Sequence, residues 1–260
     1  FAQNGWYVDL VILNLNDDTN TNFVRKYLTA NLLSFYQQTL IYSENDKLAK
    51  GFLLAKPLWI FVGGSVNAVR KVAGVDTSDV LQIITFLTHF IKERNVAVKD
   101  ISDIINDKAG LIDDKGNSIF YDSFSYLSGA SLELDEIYTD ICKRVFNSEV
   151  LGANLYLDNL KGVDGELGLR VGDSEYFGVI NVGDESKLHK LAMAQQVLGA
   201  DKDFSTSLFQ NINEKDSLVN LLIGSKKFTE GWSSWRVSSM GLMNIGRSEG
   251  SQIIQLFGRG

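Results

Sequence analysis

The chain has 260 residues, 45% of them hydrophobic and 22% charged, with a formal net charge of −7. That balance is ordinary for a globular protein, and the length suffices for one large or two small domains around a substantial core. No apolar run reaches the roughly 18 residues needed to cross a bilayer, the opening FAQNGWYVDL lacks the basic and apolar regions of a signal peptide, and a single cysteine, Cys142, excludes an internal disulfide, so a reducing, cytoplasmic setting without a membrane partner is expected.

Residues 6–15, WYVDLVILNL, read as a buried strand rich in β-branched side chains. The oxygen-rich stretch Asn16–Asn22 that follows lacks the glycine and distal glutamate of a calcium loop, and reads as a turn and helix cap. Phe23, Tyr27, Leu28, Leu32, Phe35 and Tyr36 recur at helical spacing and predict a core-facing helix to Tyr42. Lys56–Val66 is the next strand, with Pro57 at a first position where a missing N–H does no harm. It runs into Gly63, Gly64 and Ser65, either a plain strand-to-helix turn or a cradle for a nucleic-acid phosphate.

From Thr77 the pattern turns helical. Ser78 and Asp79 cap a run with one apolar face (Val80, Ile83, Ile84, Leu87, Phe90, Ile91). A shorter helix is predicted over Ile101–Ala109, a turn at Asp113–Asn117 and an amphipathic helix over Leu132–Phe146. Residues 75–150 thus read as a helical insertion between two strands, in the role of a lid, clamp or spacer. Within it, Asp135-Glu136 imitates a DExx box, but no apolar strand precedes it and the chain holds no GxxxxGK[ST]. The two acids suit the first turn of a helix, where negative charge meets the positive end of the macrodipole.

Asn154–Asn159 reads as a strand, Gly162–Gly168 as a hairpin excursion, and Leu167–Val171 should pair with Tyr176–Val182 across Gly172–Glu175. Lys187–Leu198 is predicted as a helix. His89 and His189 are the only histidines; neither has a cysteine or acid at ligand spacing, so no metal site is assigned. No Ser-His-Asp or Cys-His pattern is visible either. Leu218–Ile223, broken only by Asn220, has the look of a buried strand entering a turn at Gly224 and Ser225. Met240–Ile245 is a second apolar stretch.

From Leu221 onward the chain carries Lys226, Lys227, Arg236, Arg247 and Arg259 against Glu230 and Glu249, a local +3 that leaves −10 upstream. A basic island on an acidic chain suggests a phosphate-bearing partner met at one place. Trp232 and Trp235 sit beside it; core packing is the expected fate, base stacking the other reading. Arg259 lies between Gly258 and Gly260, where backbone approaches closely, and on a helix Gln255 would share its face. Gly224-Ser225 and Gly231 let backbone N–H groups face phosphates.

Here the sequence resembles a family. Phe228-Thr-Glu-Gly-Trp232 is similar to motif V of superfamily 2 helicases, and Gln255-Leu-Phe-Gly-Arg-Gly260 to the start of motif VI. The branch is that of the helicase subunits of restriction-modification and phage-defence systems. Pro57–Val66 resembles motif IV, and Tyr176–Asp184 and Ser207–Asn213 resemble further segments of that branch. The resemblance implies an α/β fold of the RecA-like, three-layer kind, with a mostly parallel sheet, helices on both faces and a helical insertion. It implies a second motor lobe, a fragment of a longer ATP-dependent DNA helicase or translocase that lacks Walker A and B and is inactive alone. ATP and Mg2+ would be held mainly by an absent first lobe, while Arg259 and Gln255 act catalytically and Gly231, Glu230 and Gly258 line the nucleotide. Gly63, Gly64, Ser65, Ser225, Lys226 and Lys227 would contact nucleic acid. The implied partners are duplex DNA, the first lobe, and nuclease or methyltransferase subunits. The family's second motif VI arginine would fall after Gly260, so which arginine is the main finger stays open. A non-catalytic α/β scaffold that binds nucleic acid or protein is the alternative reading.

Overall fold

The computed structural model of the protein describes residues 21–62, 70–72, 75–113, 115–130, 132–203, 206–224 and 234–242. Two helices, α1 (Thr21–Glu44) and α2 (Asp46–Gly51), precede strand β1 (Leu58–Val62). A short hairpin follows, β2 (Arg70–Val72) and β3 (Val75–Thr77), then α3 (Asp79–Lys92), α4 (Arg94–Ile105), α5 (Ser125–Gly129) and α6 (Leu134–Arg144). The second half is β4 (Leu155–Leu160), β5 (Glu166–Val171), β6 (Gly178–Asn181), α7 (Glu185–Ala194), β7 (Asp201–Lys202), β8 (Leu221–Gly224) and β9 (Val237–Leu242).

Among the described residues, seven strands form one open sheet in the order β7-β4-β5-β6-β8-β1-β9. Of these, only β5 is antiparallel to its neighbours; the other pairings are parallel. The expected α/β class with a mostly parallel sheet is therefore what the structure shows. Strand residues alternate between two cores. Trp59, Phe61, Ile180, Leu221 and Ile223 join the larger one, with side chains from α1, α3, α4, α5, α6 and α7. Leu58, Ile60, Val62, Val179 and Leu222 face the other way, onto Leu208, Phe209 and Ile212. Among the described residues the helices thus build on one face, and the irregular segment 206–219 covers part of the opposite one.

Local sequence explains most elements. The α1 face of Leu28, Leu32, Phe35, Tyr36 and Leu40 is buried at the spacing the sequence predicts; Phe35 stacks on Trp59 with ring centroids 5.8 Å apart. Ser78 caps α3 by accepting from Leu81 N at 3.3 Å. Asp135 and Glu136 lie in the first turn of α6, and Glu136 accepts from Glu133 N at 2.9 Å in a capping box. Helix α4 begins at Arg94, seven residues before the expected Ile101. Its early buried face is Ala97 and Asp100, which an apolar-periodicity reading does not register; Asp100 is matched by Arg25 of α1, Nε to Oδ2 at 2.6 Å and Nη2 to Oδ1 at 3.1 Å.

The helical stretch between β1 and β4 packs into the main core. Tyr138 of α6 donates to Ile91 O at 2.8 Å, and Phe90, Phe146 and Phe177 link α3 to the entry of β6 through edge-on rings 6.0 and 5.0 Å apart. Among the described residues, no helix is long and apolar enough to cross a membrane.

Candidate functional site

Parallel pairing aligns strand ends. Val62 of β1 pairs with Gly224 of β8 and Leu242 of β9, and Gly224 also pairs with Asn181 of β6. Four strands therefore finish in one row at the carboxyl edge of the sheet, where open α/β sheets bind ligands. The predicted residues Gly63, Gly64 and Ser65 follow Val62 in sequence, and Ser225, Lys226 and Lys227 follow Gly224. Beside them, α7 starts at the end of β6. Its amino end is occupied by its own side chains: Asp184 accepts from Lys187 N at 3.1 Å, and Glu185 sits in the first turn.

All eleven sequence-predicted site residues (Gly63, Gly64, Ser65, Ser225, Lys226, Lys227, Glu230, Gly231, Gln255, Gly258 and Arg259) lie outside the described residues, as do Trp232, Arg247 and the strand predicted over 6–15. One member of the basic island and one neighbour of it are described, and both need correction. Arg236 is only 5% exposed. Its guanidinium donates to the carbonyl oxygens of Lys56 at 3.0 Å, Val219 at 2.7 Å and Pro57 at 3.5 Å, and to that of Ile212. It precedes β9 and so sits at the amino edge, across the sheet from the Val62–Gly224 row. Arg236 is a structural tie, not part of a phosphate-facing island. Trp235, expected in the core, is 90% exposed: with Arg236 turned inward, the adjacent side chain is left outside.

Lys56 shares that amino edge. Burial and the charge of Arg236 push its ammonium down to about 8, and burial pushes Arg236 down to about 10. Burial disfavours both charges, and the nearby guanidinium adds to the effect on Lys56.

Sequence reasoning missed a second polar constellation, on the sheet face away from the main core. Asp158, fully buried, accepts from Arg170 Nε at 2.6 Å, Tyr176 OH at 3.0 Å and Ala200 N at 3.0 Å. The Arg170 guanidinium also lies 4.3 Å over the Tyr156 ring. Burial, then the Asp158 charge, push the Tyr176 phenol up to about 12, so it stays protonated and donates. Gly168 makes this contact possible, because a Cβ there would meet the Tyr176 ring at 2.6 Å. Nearby, Glu166 accepts from Ser207 Oγ at 2.5 Å, Leu208 N at 3.0 Å and Phe209 N at 3.3 Å, fixing the start of the covering segment. These carboxylates are saturated with donors and read as structural. The available signal was Asp158, an acid inside the strand predicted over Asn154–Asn159.

Two hollows, of about 470 and 400 Å3, flank Glu175 and Tyr176; neither is lined by the Val62–Gly224 row. Burial pushes the Cys142 thiol up to about 11, which keeps it a poor nucleophile. Among the described residues no group of three or more His, Cys, Asp or Glu side chains is placed to hold a metal ion.

No protein family, curated protein or solved structure matches the chain. The functional reading therefore rests on the row of strand ends and on the chemistry of the residues that follow it.

Proposed function

We propose that this chain is the second motor lobe of an ATP-dependent superfamily 2 DNA helicase or translocase, of the branch serving restriction and phage defence. The observation that carries the reading is the pairing of β1 with β8, parallel and ending opposite each other at Val62 and Gly224. Pro57–Val66, which resembles motif IV, contains β1, and Phe228–Trp232, which resembles motif V, follows β8 in sequence.

In this reading Ser65, Ser225, Lys226 and Lys227 contact backbone phosphates, with Gly63 and Gly64 giving room for close approach. Glu230, Gly231 and Gly258 line the nucleotide. Arg259 supplies a planar cation to charge developing on the γ-phosphate, and Gln255 assists it. ATP is the substrate, and Mg2+ would be held by acids of the first lobe, with this lobe completing the cleft.

The test is ATP hydrolysis by the intact protein with and without duplex DNA. Arg259→Ala should lower the rate roughly 10³-fold or more while DNA binding is kept. Unchanged hydrolysis removes Arg259 from the mechanism, and an oligonucleotide affinity that does not fall with rising salt removes the nucleic-acid role.

A further inference from the structure

We propose that the amino edge of the sheet is a docking face for a second copy of this chain, the tip of α2 on each copy inserting beside Leu218 of the other. Helix α2 ends in a Schellman turn: Leu53 N donates to Lys50 O at 3.1 Å and Leu54 N to Ala49 O at 2.9 Å. The residue after the cap takes a left-handed backbone in such a turn, and glycine or asparagine is usual there. Here it is Leu53, at a φ of 59° and 90% exposed. Its neighbours Phe52 and Leu54 are exposed as well. A leucine that bears backbone strain and is left almost wholly in solvent is placed for an outside contact.

The tip belongs to a wider apolar face. Lys56, two residues after Leu54, donates from Nζ to Ser217 O at 3.5 Å, and its own carbonyl oxygen accepts from Arg236 Nε. Leu218 follows Ser217, Trp235 precedes Arg236, and both side chains are exposed. Three segments distant in sequence thus bring Leu54, Leu218 and Trp235 to one edge. That edge lies across the sheet from the Val62–Gly224 row, so the placement does not depend on the motor reading and leaves the row open.

Charge identifies the occupant. The hollow of about 470 Å3 adjoins this face: Leu218 and Val219 line it with Glu175, Glu214 and Asp216, and among the described residues no lysine, arginine or histidine does. The α2 tip is the reverse. Helix α2 carries exposed Lys47 and Lys50 against one acid, Asp46, which pairs with Lys50 at 2.7 Å. A cationic, apolar projection and an acidic hollow with apolar walls therefore stand side by side. Such a face complements its own copy after a half-turn, the isologous arrangement of the commonest oligomers, and opposite charges at the rim set the register.

The test is analytical ultracentrifugation of the intact chain across the micromolar range. The wild type should pass from monomer to dimer as concentration rises, and less readily in high salt. Leu53→Asp should weaken association about thirtyfold or more, as loss of a buried anchor does. Leu53→Gly should weaken it too, yet raise the thermal midpoint of the dilute chain by about 2 °C, because glycine relieves the left-handed residue; a role in folding alone predicts a lowered midpoint. Lys47→Glu and Glu214→Lys should each weaken association about tenfold, and combined in one chain they should recover most of it. A chain monomeric at every concentration, a dimer indifferent to Leu53→Asp, a lowered midpoint for Leu53→Gly, or charge changes that add instead of compensating would each overturn the proposal.

Discussion

Arg236 donates its Nε to the carbonyl oxygen of Lys56 at 3.0 Å, across 180 residues of sequence. The contact joins the entries of β1 and β9, where Leu58 N also donates to Arg236 O at 2.6 Å. One guanidinium thereby binds the starts of three adjacent strands, since Val219 leads into β8.

Replacing Arg236 by leucine strands those buried carbonyl groups, each costing about 1–3 kcal/mol when left without a donor. Arg236→Leu should destabilise the chain by about 3 kcal/mol or more in chemical denaturation, and Arg236→Lys, which keeps the charge but not the fork of donors, should recover only part. The slope of oligonucleotide affinity against salt should not change. A slope reduced by about one would mean that Arg236 contacts a phosphate after all.

Lys56 gives a pH signature. Its folded pKa of about 8 lies below the ordinary lysine value of about 10.4, so the unfolded chain binds the extra proton and stability from this group rises with pH between the two values. Below pH 8 the burden of a half-buried charge is fully present. Lys56→Met should therefore be more stable than wild type at pH 7, by on the order of 1 kcal/mol after allowance for solvent screening, and the gap should close toward pH 10. A gap that is constant with pH refutes the lowered pKa.

Asn220 interrupts an apolar run, and leucine would complete the pattern. The structure predicts the opposite of what the pattern suggests. Asn220 is 2% exposed, and its Nδ2 donates to Arg144 O and Val145 O, both at 3.0 Å, closing the carboxyl end of α6. Asn220→Leu should cost about 2 kcal/mol, read as a lowered thermal midpoint. An unchanged midpoint would show that these carbonyls find other donors.

Gly241 lies where β9 passes the Phe61 ring: a Cβ there would meet Phe61 Cε1 at 2.1 Å. Gly241→Ala should destabilise by about 1–3 kcal/mol through overpacking, and Phe61→Leu in the same chain should relieve part of the loss. Additive effects of the two changes would argue against direct contact.

The row at Val62 and Gly224 was only half legible. The apolar runs of β1 and β8 and the turn residues after them are plain in the sequence, because a strand buried on both faces needs unbroken apolar side chains. Their adjacency is not, since about 160 residues separate them and pairing partners follow from the fold rather than from either strand. Helix α4 shows a similar limit: half its buried face is Ala97 and Asp100, and Asp100 is at home in the core only because Arg25 reaches it.

The sequence by itself determined the cap at Ser78, the β5–β6 hairpin and the place of Asp135 and Glu136 in the first turn of a helix, because each depends on periodicity or on groups within a few residues; the α/β class came with the family resemblance. Only the tertiary structure decided the strand order, the gathering of helices on one face, and the burial of Arg236 beside an exposed Trp235. A count of basic residues cannot tell a cation that faces a ligand from one that ties strand entries together; the carbonyl groups that distinguish them come from Lys56, Ile212 and Val219, segments that meet only once the sheet has assembled.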